Sequence, residues 1–141
     1  MIDFNKPPSV FRRLAVIVYD LILLVAVLFA ATLLLLPFQP SHLFQPSSWI
    51  YRVYLFFISF LFYAWFWTTG GQTLGLVAWK LRVVNENGGN ISWKQSLIRF
   101  ITAIFSCGVC GLGIVWMLFN KEHLAWHDIT SKSHLQWKDA D

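Results

Sequence analysis

Between Leu14 and Leu36 the chain reads LAVIVYDLILLVAVLFAATLLLL, 23 residues of which almost all are apolar. As a helix rising 1.5 Å per residue the run is about 35 Å long, enough to cross a hydrocarbon core of about 30 Å with some tilt. Only helices and closed barrels satisfy every backbone polar group inside lipid, so the run reads as a transmembrane helix. Asp20 does not fit this pattern. A carboxylate toward the middle of such a helix costs about 2.5–3.5 kcal/mol on insertion scales, so something must use it or neutralise it.

With 57% hydrophobic and 13% charged residues, the chain lies far from the roughly 25% charged content of soluble domains. Thirteen Phe, eight Trp and four Tyr are more aromatics than a small water-facing surface can hide, whereas interfacial belts of a bilayer accommodate them. The formal charge of +4 comes from cations that flank the oily segments and form no patch. The expected partner is therefore the lipid bilayer, with no nucleic acid. The opening MIDFNKPPSVFRR lacks the short apolar region and small-residue cleavage site of a secretory signal, so the first helix is expected to stay.

A second apolar segment, WIYRVYLFFISFLFYAWFWTT, covers residues 49–69, and Pro37 and Pro40 separate it from the first. The intervening PFQPSHLFQPSS has no charge, while Lys6, Arg12 and Arg13 precede the first segment and Lys80, Arg82, Lys94 and Arg99 follow the second. By the positive-inside rule the N-terminus and residues 70–99 are cytoplasmic. A third apolar segment, residues 98–120, is long enough to cross, yet Gly108, Gly111 and Gly113 cluster at its midpoint. It is either a third span or a re-entrant hairpin.

LRVVN and SHLQW read as short strands, and NENGGN after the first is a strong turn signal. The expectation is a hairpin at this turn with a third strand supplied by the tail, since isolated hairpins are marginal in water. Pairing of this kind places the tail beside residues 81–84 and favours the re-entrant path. The expected fold is an α-helical integral membrane protein with two full spans, a third apolar segment and a small cytoplasmic β element, built as one domain over residues 1–141.

Arg13 and Asp20 are seven positions apart, on one helix face and about 10 Å from each other, too far for a fixed ion pair. Asp20 can accept hydrogen bonds from a neighbouring helix, meet a cation from the tail, or take up a proton. In KEHLAWHDITSKS, His123 and His127 have helical i,i+4 spacing, but zinc helices of that type carry a Glu beside the first His and a third ligand elsewhere. Cys107 and Cys110 have the C-x-x-C form inside an apolar stretch, where small packing residues are the ordinary use. Gly71-Gln72-Thr73-Leu74-Gly75 lacks the lysine and hydroxyl of a phosphate loop and reads as a tight exit turn.

Taken in order, R-L-A-x-x-x-x-D at Arg13 to Asp20, GQTLG at Gly71 to Gly75, the LRVV strand with its turn at Leu81 to Gly89, and HD at His127-Asp128 resemble the RDD family of small bacterial membrane proteins. The resemblance covers nearly the whole chain and implies that Arg13, Asp20 and Asp128 are the name-giving residues. It also implies a polar cluster of these three near the cytoplasmic face of a bacterial cytoplasmic membrane. Leu76 follows GQTLG where the family usually has lysine, and Ser131-Lys132-Ser133 stands in place of an AGT-like stretch after HD.

Two functions stay open. The first is transport of an ion or small ligand through the Arg/Asp cluster, in a homo-oligomer or with a larger membrane partner because one chain is small for an alternating-access machine. The second is a non-catalytic membrane scaffold or accessory subunit. An enzyme is not expected, because no nucleophile and base or metal set can be assembled. No cofactor is expected either.

Overall fold

A computed structural model describes residues 7–38, 45–109 and 111–138. Pro40, Cys110 and Lys6 lie outside the described residues. Helix α1 spans Val10–Leu35 and continues as a tight turn through Phe38, where Pro37 interrupts the α-helical ladder. Helix α2 spans Trp49–Thr69, capped by Ser48, whose hydroxyl accepts from the Ile50 amide. Both are long and apolar enough to cross a membrane. Their outward faces, with Val18, Ile22, Val25 and Phe29 on one and Val53 and Phe57 on the other, are exposed, the arrangement a lipid solvent requires. Tyr54 donates to the Ala31 carbonyl at 3.1 Å, and Tyr51 bonds to Thr32 at 2.9 Å, tying the two helices together.

The chain leaves α2 through Gly70 and Gly71. Gly71 has φ +67, and a Cβ there would sit 2.6 Å from the Val83 carbonyl oxygen, so the turn needs glycine on two counts. Thr73 then caps α3 (Leu74–Ala78), and strand β1 follows at Leu81–Asn85. The expected hairpin does not form. After the turn at residues 86–90, Ser92 and Gln95 make a reciprocal capping box that starts α4 (Trp93–Gly108). The backbone amides there go to a helix cap instead of a second strand. β1 pairs with the tail strand β2 (Ser133–Trp137) in an antiparallel sheet of two strands, with Leu81 opposite Trp137 and Asn85 opposite Ser133.

Helix α4 begins five residues earlier than the apolar run and ends at the expected glycines. It is followed after a 94° bend by α5 (Leu112–Phe119), and then by α6 (Trp126–Thr130). Gly111 takes φ +71 at the bend, and a Cβ on Gly113 would run into the Ser106 side chain, whereas one on Gly108 would meet nothing. Two of the three glycines therefore have a geometric reason. Because β2 pairs with the strand that follows α2, the α4–α5 path turns back to the sheet end of the molecule. The core lies at that end, where Val16, Trp67, Leu76, Leu81, Val83 and Phe100 pack together. Phe56, Phe60 and Tyr63 of α2 carry the packing upward against Phe100, with ring centroids 5.4–6.1 Å apart.

Candidate functional site

The first turn of α1 brings Arg13 into the core end, where its Nη1 donates to Asp128 Oδ2 at 3.0 Å and its Nε to the Pro8 carbonyl at 3.3 Å. Asp128 is held by α6 and also accepts from the Ala125 amide at 3.1 Å, the local bond that orients the carboxylate. Its other oxygen takes Arg99 Nη1 of α4 at 2.5 Å. The same Nη1 donates to Ser133 Oγ, which is bonded to Ser131 Oγ. Arg99 also lies 5.2 Å over the Trp67 ring. Arg13 and Arg99 are 3% exposed and Asp128 2%. One buried carboxylate thus serves two buried guanidiniums.

Burial alone would raise the Asp128 carboxyl, but Arg99, His127 and Arg13 overcome it and hold the group down at about 2. His127, whose Nε2 is 3.7 Å from Asp128 Oδ1, is pushed down to about 4, first by burial and then by Arg99. It is therefore neutral at pH 7. Its Nδ1, like Arg99 Nε, has no hydrogen-bond partner among the described residues.

Of the expected group Arg13, Asp20 and Asp128, the first and last bond directly, and Asp20 makes no direct bond to either among the described residues. Its Oδ2 accepts from Thr73 Oγ1 at 2.5 Å and its Oδ1 from the Gly75 amide at 2.9 Å. The carboxylate caps the start of α3, two helical turns along α1 from Arg13. A Cβ on Gly75 would lie 2.6 Å from Asp20 Oδ1 and 3.0 Å from the Val16 carbonyl, so GQTLG is a docking turn for α1. Of the three routes open to Asp20, hydrogen bonding from a neighbouring helix is the one observed.

A cavity of about 410 Å³ joins the two anchors. Arg13, Asp20, Arg99 and His127 border it, and the remainder of its wall is mainly apolar, including Ile17, Leu24, Phe56 and Ile114. A more polar cleft between residues 7–8, the 120–124 loop and β2 is bordered by Arg13 and Asp128. Arg13 therefore touches both spaces.

The neighbouring arginines of the sequence separate cleanly. Arg12 packs over Trp137 at 4.9 Å and Trp79 at 6.0 Å, leaving Arg13 as the partner of Asp128. Leu76, in place of a lysine, is a core residue at 2% exposure, and Ser131 and Ser133 are buried beside Arg99. His123 and His127 do not share a helix, because α6 starts at Trp126, and His123 Nδ1 bonds to the Met117 carbonyl. No three His, Cys, Asp or Glu side chains converge as a metal site among the described residues. Cys107 is exposed.

Arg99 and Thr73 are the site residues that sequence reasoning missed. Arg99 reads in the sequence only as a flanking cation, because it is the second residue of the apolar run 98–120, where a long side chain can snorkel to the interface. The S-x-x-Q pattern at Ser92 marks the true helix start and places Arg99 well within α4. No curated protein and no solved structure matches the chain. A family model does match, over residues 7–132, and by it the chain belongs to the RDD family.

Proposed function

We propose that this is a multi-pass protein of the bacterial cytoplasmic membrane, without enzymatic activity, that takes part in the transport of an ion or small ligand. Its N-terminus, sheet and tail face the cytoplasm, and α4–α5 forms a re-entrant element. The carrying observation is the cavity bordered by Arg13, Asp20 and Arg99, together with the polar cleft that meets it at Arg13. Ionisable groups within membrane segments mark ion and substrate paths by default. Arg13 borders both the cleft and the cavity and Asp128 the cleft, which supports a role in which a passing species displaces or recruits the pair. The working unit is a homo-oligomer or a complex with a larger membrane partner, since two spans and a re-entrant pair enclose little space.

Flux measured in vesicles reconstituted with the full chain tests the proposal, under imposed gradients of protons, sodium or potassium. Transport of one of these, lost in Asp20→Asn while the variant inserts and folds, supports it. Vesicles with no flux of any of the three, together with Asp20→Asn indistinguishable from wild type, leave the scaffold or accessory-subunit function instead.

A further inference from the structure

We propose that the cavity between α1, α2, α4 and α5 binds a single-chain amphiphile with an anionic headgroup, the head against Arg13 and Arg99 and the chain along Ile17, Leu24 and Phe56. The proposal deepens the ligand-site function above and rests on it. Three observations point the same way. The Arg13–Asp128–Arg99 cluster has two guanidiniums against one carboxylate, both ion pairs are buried, and the cluster retains one positive charge. Arg99 Nε, on a residue only 3% exposed that borders the cavity, has no partner among the described residues. A buried donor of this kind is costly to leave unpaired.

The second observation is the complementary shape of the charge. Asp20 also borders the cavity, but both its oxygens already accept hydrogen bonds, from Thr73 and Gly75, whereas at the arginine end a buried donor is left unpaired among the described residues. The third is the wall. Away from the arginines it is apolar, and Leu21, Phe56 and Ile104, which line it, are 49%, 50% and 44% exposed. These residues, on α1, α2 and α4, reach the molecular surface, so the apolar wall is not wholly covered by protein. A volume of about 410 Å³ falls in the range of sites for small organic ligands. An inorganic anion would leave the apolar wall unused, and a cationic amphiphile would bring no acceptor for the unpaired Arg99 donor.

The same headgroup chemistry occurs in a free fatty carboxylate and in a phosphate-bearing lipid. The full chain is placed in phosphatidylcholine discs, and its thermal unfolding is followed with decanoate, decanoyl lysophosphatidate, decanol and decyltrimethylammonium at equal mole fraction. Saturable stabilisation by decanoate alone identifies the carboxylate source, and stabilisation by the lysophosphatidate alone or by both anions identifies the phosphate headgroup as accepted. Either anion should act at no more than a tenth of the concentration that decanol needs, the factor expected of a hydrogen bond to a charged group. Arg99→Gln should erase that tenfold preference. Ala103→Phe, which fills the cavity without touching an ion pair, should abolish saturable binding and keeps the test open should Arg99→Gln not fold. Equal effects from all four compounds, a preference for the cation, or no saturable effect would each overturn the proposal. Asp20-dependent ion flux with no amphiphile preference would leave the transport proposal standing and remove this one alone.

Discussion

Replacing Asp128 by Asn should be the most damaging isosteric change in the protein. The substitution keeps the size of the side chain and an oxygen for the Ala125 amide or for one arginine, but turns the other donor-facing oxygen into an amide nitrogen. Arg13 at 3.0 Å and Arg99 at 2.5 Å then share a site whose net charge rises from one positive to two. Neither can reach water without moving out of the core, since their side chains are 3% and 4% exposed. Breaking a buried ion pair by removing one partner costs about 3–5 kcal/mol. Set against total stabilities of about 5–15 kcal/mol, this is a large fraction. Thermal unfolding in detergent should show the midpoint lowered by roughly 10–20 °C. Adding Arg99→Gln to Asp128→Asn removes the excess charge and should recover part of the loss, a coupling that independent sites do not show. A single variant within about 2 °C of wild type would refute the buried two-arginine cluster, because such a result is the behaviour of a solvated surface pair.

Stability should also fall with acid in two stages: the unfolded His127 imidazole protonates near 6.5 and the folded one only near 4, so the unfolded chain binds more protons in that window and stability drops by about 3 kcal/mol as pH falls through it. Below it, the Asp128 carboxyl, unfolded near 3.8 and folded near 2, removes a further contribution as pH falls, and a His127→Gln variant should lack the upper stage alone when unfolding is followed against pH. Gly113→Leu and Gly111→Val should each lower the folded yield in detergent while Gly108→Ala leaves it unchanged, since only the first two positions have a close neighbour or a positive φ; equal yields for all three would remove the role assigned to the bend. A cysteine at exposed Gln136 on β2 should resist an impermeant thiol reagent applied outside intact cells, and labelling there would place the tail on the outer side. Ser133, on the same strand, is 3% exposed and would be protected on either side.

Local sequence alone determines the helices and their punctuation. The apolar runs 14–36 and 49–69 are long enough that no tertiary contact is needed to make them helical, and α2 begins and ends at the residues expected of it. The LRVVN segment with its two valines, the alternating SHLQW segment and the glycines near the middle of the third apolar run are likewise readable, because they rest on residue type and spacing within short stretches. Arg13 and Asp128 are singled out by the family resemblance, and the fold brings them together at 3.0 Å.

Only the tertiary structure decided which partners those charges take. Asp20 and Arg13 share one face of one helix about 10 Å apart, and α3 docks against that face and gives Asp20 a hydroxyl and an amide of its own. Arg99 becomes the second partner of Asp128 because α4 starts at a capping box and turns that residue inward beside α6. The hairpin expected after NENGGN is lost for the same reason, since the capping bonds claim the backbone that a second strand would have used. Hydrogen bonds and ion pairs between elements depend on distances set by packing across 53 residues of chain for Asp20 and Thr73 and 115 for Arg13 and Asp128, and no local pattern carries that information.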